Sequence, residues 1–214
     1  MRNSLGNIIK LKESPEHFAM AKEKKILQDK HCSFYLLVLS GGNNGVLASL
    51  YNCDVEHIGQ CEINLAERAE DHIVVELEKL RVAKRFEGLG LGKLMAAGTM
   101  EFASRHAPIK FKLRQDPTRV NDDQYDDMGR PLIGYNRDPV YMQFNANRQA
   151  HIYEDLGFKE VDINGIYIDR ETQIYPKGQT FLHSRSCTGH KIHNKVCLAA
   201  PSPVSTNGSV FPGR

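Results

Sequence analysis

A mixed α/β domain built on a central, mostly antiparallel sheet is the fold class the sequence predicts, and three observations predict it. Four apolar or alternating runs, "CSFYLLVLSG", "GVLASLYNC", "HIGQCEINLAE" and "HIVVELEKLRV", follow one another with only Gly, Asn and Asp signals between them, the pattern of successive antiparallel strands. A helical stretch comes directly after the last of them, with Leu91, Leu94, Met95, Gly98 and Phe102 on one face. The chain has 214 residues, 41% of them hydrophobic and 25% charged, enough to bury one core and too apolar for wholesale disorder.

The elements read in order as follows. "NIIKLKE" is predicted as a first strand, and "SPEHFAMAKEKKILQD" as a helix opened by Ser and Pro in cap and first-turn positions. The four-strand meander follows. The helix from Leu91 to Arg105 stops before Pro108, and "IKFKLR" is a strand. "NANRQAHIYEDLGF" reads as helix, with Gly157 in the ending position and Phe158 returning to the core. "EVDINGIYI" and "QTFLHS" are predicted to close the sheet. Residues 1–184 form the expected domain, and 185–214, ending in "APSPVSTNGSVFPGR", a polar extension of flexible composition.

Composition limits the partners. The 28 Lys and Arg against 26 Asp and Glu leave a net charge of +2, without the concentrated basic footprint of a nucleic-acid binder. No run of roughly eighteen apolar residues exists, and the N-terminus lacks a signal-peptide core. Neither nucleic acid nor membrane is an expected partner. Five scattered cysteines, an odd number, fit free thiols in a reducing compartment, so the expected location is cytoplasmic. Cys32, Cys53 and Cys61 lie on or near predicted strands and read as small core residues. Cys187, His190, His193 and Cys197 match the spacing of no common structural zinc site, and no metal is expected.

The stretch "RFEGLGLGKLM" places Gly88, Gly90 and Gly92 on alternate positions between the last strand of the meander and the helix. A nucleotide P-loop requires a glycine where Glu87 stands and Ser or Thr where Leu94 stands. A dinucleotide fingerprint requires a different glycine spacing and a parallel βαβ unit. Two readings stand at this point: a backbone cradle for an anion at a helix N-terminus, or a tight strand-to-helix turn that needs positive φ.

"LRVAKRFEGLGLGKLM" resembles the central acetyl-CoA motif of the GNAT-type N-acetyltransferases, and "IYEDLGF" resembles the end of that family's later Leu-Tyr-Glu-x-Leu-Gly-Phe helix. The two motifs occur in the family's order with "IKFKLR" between them, and the resemblance extends to about Ser184. It implies acetyl-CoA as cosubstrate and direct transfer of the acetyl group to an amine, with no covalent enzyme intermediate. It also implies that backbone at Leu80, Arg81 and Val82 meets the pantetheine arm, and that the diphosphate lies over Glu87, Gly88, Leu89, Gly90, Leu91, Gly92 and Lys93. The family's motif Arg or Gln falls on Glu87, with Arg85 also fitting the spacing two residues earlier.

Tyr153 matches the family tyrosine that protonates the leaving thiolate, and Glu76 stands where some members carry a general base; Glu78 shares its alternating face. Without the motif, the same residues read as a packed helix tyrosine and the polar face of a half-solvated strand. Residues 115–144 are too long for an ordinary strand-to-helix connection and are expected to form an acidic inserted loop. From Gln115 to Pro139 six Asp stand against three Arg, a formal −3. Asp122, Asp123, Asp126 and Asp127 are candidate contacts to a cationic amine, as small molecule or peptide. A second reading of the chain is a catalytically idle domain of the same shape that binds CoA or a protein as a sensor.

Overall fold

The computed structural model describes residues 4–16, 18–29, 31–42, 44–125 and 131–181, the side chains of 121–133 excepted. Helix α1 (Ser4–Glu13) precedes β1 (Glu23–Gln28), β2 (Phe34–Gly41), β3 (Gly45–Tyr51), β4 (His57–Arg68) and β5 (Ile73–Val82). A short 3-10 turn at Lys84–Phe86 leads to α2 (Leu91–Ala103) and β6 (Ile109–Gln115). The remainder is β7 (Arg119–Tyr125), β8 (Pro131–Tyr135), α3 (Pro139–Asp155), β9 (Lys159–Asn164) and β10 (Tyr167–Glu171). Eight strands form one sheet in the order β1-β2-β3-β4-β5-β6-β10-β9, and β7 and β8 pair by themselves. Among the described residues every pairing is antiparallel except β5 with β6.

The sheet is covered unequally. On one face, Leu37, Leu39, Ile63, Val75, Leu77 and Phe111 pack with Met95, Met100 and Phe158 in the main core. On the other, Ile8 and Leu11 of α1 pack against Leu36 and Val38. Strand β2 is therefore buried on both faces, which is why "FYLLVLSG" is continuously apolar where its neighbours alternate.

The meander, α2 and β6 form as expected, and expectations elsewhere need correction. The N-terminal segment is a helix, because Ile8 and Leu11 at i, i+3 bury one face and Lys10 and Lys12 complement its C-terminal end. A short apolar run does not by its periodicity distinguish strand from helix. The Ser14-Pro15 pair follows that helix as a stop signal rather than opening the next one, and "EKKILQ" is strand β1 paired to β2. "EVDINGIYI" is a hairpin, β9 and β10, turning at Gly165-Ile166 with Gly165 at φ 65°. "QTF" carries no strand; its Phe181 meets Phe111 and Tyr175 edge-on, and 182–184 lie outside the described residues.

The connection expected as an inserted loop at 115–144 contains the β7–β8 hairpin and the start of α3. Helix α3 begins at Pro139, where the Asp138 carboxylate accepts from the backbone N–H of Val140 (2.8 Å) and Tyr141 (3.0 Å). Asp138-Pro139 is thus an N-cap followed by a first-turn proline. Cys61 is buried, and burial pushes its thiol up to about 12; Cys32, by contrast, is exposed in a turn. Residues 185–214, with the Cys and His cluster, lie outside the described residues.

Candidate active site: a gap in the sheet

The parallel pairing of β5 with β6 runs only from Ile73–Glu76 against Ile109–Lys112. Beyond it, β5 continues to Val82 on its ladder to β4, while its ladder to β6 has ended at Glu76. Strand β6 meanwhile continues with β10, Leu113 opposite Arg170 and Gln115 opposite Ile168. The divergence has a local cause: the β4–β5 register slips between Glu62↔Lys79 and Ile63↔Leu77, which leaves Glu78 as the extra residue of a β-bulge. A bulge bends and twists the strand that carries it, and here it does so where contact with β6 ends. The cleft that results, about 630 Å³ including solvent at its mouth, has Leu77, Glu78, Leu80 and Arg81 on one wall and Leu113 to Asp116 on the other.

The glycine loop follows the β5 wall directly. Gly88 (φ 77°) and Gly90 (φ 78°) are in the left-handed region, and Gly90 is the N-cap of α2 with no side-chain cap hydrogen bond. The turn therefore needs glycine for its own geometry, and that geometry also leaves the first N–H groups of α2 without intrahelical acceptors. Both readings of the glycine stretch apply to it at once. An added Cβ at Gly88 or Gly90 meets no protein atom within 4 Å, so the loop faces open space.

Helix α3 closes the cleft with Arg148, Gln149 and Tyr153. Its position over the loop is held by ion pairs from Arg148 to Glu87 (2.9 Å) and from Lys93 to Asp155. A buried polar network fixes its height: Asn145 donates to the carbonyls of Pro117 (2.8 Å) and Arg119 (3.0 Å). Gln115 donates to the Ala146 carbonyl (3.1 Å) and accepts from Arg170 Nε (3.0 Å).

Tyr153 owes its place to the way α3 ends. Phe158 N–H donates to the Tyr153 carbonyl (2.9 Å) and Gly157 N–H to the Glu154 carbonyl (2.9 Å), the paired bonds of a Schellman motif, and the Tyr153 and Phe158 rings meet edge-on at 6.1 Å. Burial pushes the Tyr153 phenol up to about 12, with Arg170 and Arg119 pulling it partly back. The side chain packs against the core, and the residue lines the cleft. Gly157 is at φ 90°, and a Cβ there would stand 2.0 Å from Tyr175 Oη. Gly157→Ala is expected to cost about 2–4 kcal/mol, from the left-handed conformation and the displaced tyrosine. Urea denaturation measures it, and a loss well under about 1 kcal/mol would contradict this role for the glycine.

Of the residues singled out in the sequence, the fold brings Leu80, Arg81, Tyr153 and the loop Glu87–Lys93 to one end of the sheet. Glu76 sits on the paired part of β5, opposite Asn64 and Lys112, with Lys112 Nζ 3.6 Å from its carboxylate; it does not line the cleft, whereas Glu78 does. Asp122 and Asp123 lie on β7, their side chains undescribed, and Asp126 and Asp127 lie outside the described residues. The sequence reading missed Gln115, Arg148 and Gln149. Gln149 stands four residues before Tyr153 on the same helix, a spacing that places it on the same face, and Arg148 comes directly before it.

No family model and no curated protein matches the chain. Among solved structures, 25 chains match. The chain is similar to nourseothricin acetyltransferase (15% identity, TM-score 0.40, 72% of this chain and 83% of that one). It is also similar to spermidine N-acetyltransferase from Vibrio cholerae in complex with CoA and spermine (15%, 0.39, 65% and 69%). A third similar structure is Arabidopsis thaliana Naa50 in complex with the bisubstrate analogue CoA-Ac-MVNAL (13%, 0.38, 59% and 72%).

Proposed function

We propose that the chain is an acetyl-CoA-dependent N-acetyltransferase that moves the acetyl group directly to an amine. The observation that carries this reading is the gap between β5 and β6, which opens beside the glycine loop and has Tyr153 in its wall. Backbone of Leu80–Val82, beyond the point where the β5–β6 ladder ends, suits an amide-bearing pantetheine arm added as a strand would be. The N–H groups of Gly88–Lys93, at the positive end of α2, suit the diphosphate. The motif resemblance at Leu80–Met95 and Ile152–Phe158 points to the same ligand, with each segment in a different wall of one cleft.

The thioester carbonyl then lies in the gap, open to the sheet face that α1 leaves uncovered, from which the amine arrives. The amine must be neutral to attack, and Glu78, set out of register by the bulge, is placed to accept its proton directly or through water. Tyr153 donates a hydrogen bond to the thiolate as it leaves. A phenol held near 12 is a weaker acid than a thiol of roughly 8.5, so it stabilises the leaving charge by hydrogen bonding without surrendering its proton. Transfer is direct, and Cys61, packed in the core with its thiol held protonated by burial, is not an acyl carrier. The acidic β7–β8 segment favours a cationic amine.

Glu78→Gln is expected to slow transfer by roughly ten- to a hundredfold near neutral pH. The deficit should narrow as pH rises toward the pKa of the amine, which then arrives already neutral; a deficit constant with pH would remove Glu78 from the proton path. The reading as a whole is tested by thiol release from acetyl-CoA over a panel of cationic, neutral and zwitterionic amines. Amine-dependent release is expected. CoA binding with no release over the whole panel would favour the idle CoA-binding reading.

A further inference from the structure

The acetyl-CoA reading leaves a conflict at the loop: Glu87 puts a carboxylate directly before Gly88, at the place assigned to a diphosphate. The residue facing that carboxylate comes from another element. Arg148 Nη1 donates to Glu87 Oε2 at 2.9 Å, and Arg148 Nη2 reaches Asn145 Oδ1 at 3.4 Å. Asn145 is fully buried and fixed by the two carbonyls it donates to, so the guanidinium is aimed from a rigid base. It is also half-exposed at 46% and lines the cleft. A guanidinium carries five N–H donors in a planar fork; the two bonds described leave donors on its outer edge for a second oxyanion.

We propose that Arg148 bridges Glu87 and the diphosphate of the CoA ligand, one edge of its guanidinium on each, so that a helix far along the chain supplies a cation to the loop. The proposal rests on the acetyl-CoA reading and deepens it. Lys93, the loop's own cation, is already paired with Asp155 at the end of the same helix. The Glu87–Arg148 pair thus sets the guanidinium in position before the ligand arrives, as bidentate arginine sites for phosphate require.

Calorimetric titration with CoA and with dephospho-CoA, which keeps the diphosphate and lacks the 3′-phosphate, separates the possibilities. Arg148→Gln is expected to weaken both ligands equally, by roughly ten- to a hundredfold, with the loss shrinking in added salt. Glu87→Gln removes a repulsive charge and loosens the arginine, and is expected to bind within a fewfold of wild type. The double variant Glu87→Gln/Arg148→Gln decides the matter. Bridging leaves it clearly weaker than wild type, whereas an arginine that merely cancels Glu87 gives full recovery and overturns the proposal. Wild-type affinity in Arg148→Gln, or a loss confined to CoA, also overturns it. Arg148→Lys, which keeps the charge without the fork, is expected to fall between wild type and Arg148→Gln, and melting curves of each variant confirm folding. If the wild-type chain binds neither ligand, the acetyl-CoA reading itself falls.

Discussion

Tyr153→Phe is expected to bind acetyl-CoA nearly as wild type and to lose turnover by roughly ten- to a thousandfold. The ring is retained, so its edge contact with Phe158 and its place in the core survive. Only the hydroxyl is removed, from a residue that lines the cleft. When the tetrahedral intermediate collapses, negative charge grows on sulfur, and a donor already aimed at that position stabilises the transition state more than the ground state. The deficit should therefore appear in kcat and kcat/KM together, with the acetyl-CoA KM little changed. Because burial holds the phenol near 12, the hydroxyl stays protonated as pH rises through the ordinary tyrosine range, and no alkaline loss of rate below about pH 10 should trace to it. Unchanged turnover with a shifted melting temperature would make Tyr153 a packing residue.

Gly90→Val is expected to abolish most CoA affinity, by roughly a hundredfold or more, while leaving the domain folded. Two properties of the position combine. At φ 78° a β-branched residue is strained, and relieving that strain turns the loop's N–H groups away from a common point. Charge-assisted hydrogen bonds to a phosphate are each worth about 1.5–3 kcal/mol, so losing two suffices for that factor. The added side chain meets no protein atom within 4 Å of its Cβ, so the core has no cause to unfold and the loss reports on the ligand. Calorimetry with CoA reads the affinity and a melting curve reads the fold. A folded variant that binds CoA as wild type would place the diphosphate elsewhere.

The parts of the fold legible in the sequence were those whose local signal and tertiary role agree. The meander strands carry period-two or continuous apolar runs between turn residues, and "YEDLGF" announces its Schellman end through Gly157 and Phe158. Helix α1 was illegible because "IIKL" suits either element, and only packing of Ile8 and Leu11 against β2 decides between them. Gly165 and the Asp138-Pro139 pair each carry a standard turn or cap signal, but the first stands inside one continuous alternating run and the second inside a long polar stretch. At the candidate site, the glycine loop and Tyr153 were visible because their chemistry is contiguous in sequence. The gap itself was not, since it arises from a register slip at Glu78 and the early end of the β5–β6 ladder. That slip also moves the interest from Glu76 to Glu78. Arg148 was hidden for a similar reason: its partner Glu87 is 61 residues away along the chain.

The central claim is that CoA occupies the gap between β5 and β6 with its diphosphate on the glycine loop, and backbone hydrogen exchange with and without CoA tests it most directly. Saturating CoA is expected to slow exchange in two segments together, Leu77–Val82 of β5 beyond its ladder to β6 and Gly88–Lys93 at the start of α2, while the β1–β3 part of the sheet is unchanged. Protection confined to other segments, or none at a CoA concentration that calorimetry shows to be saturating, would contradict it.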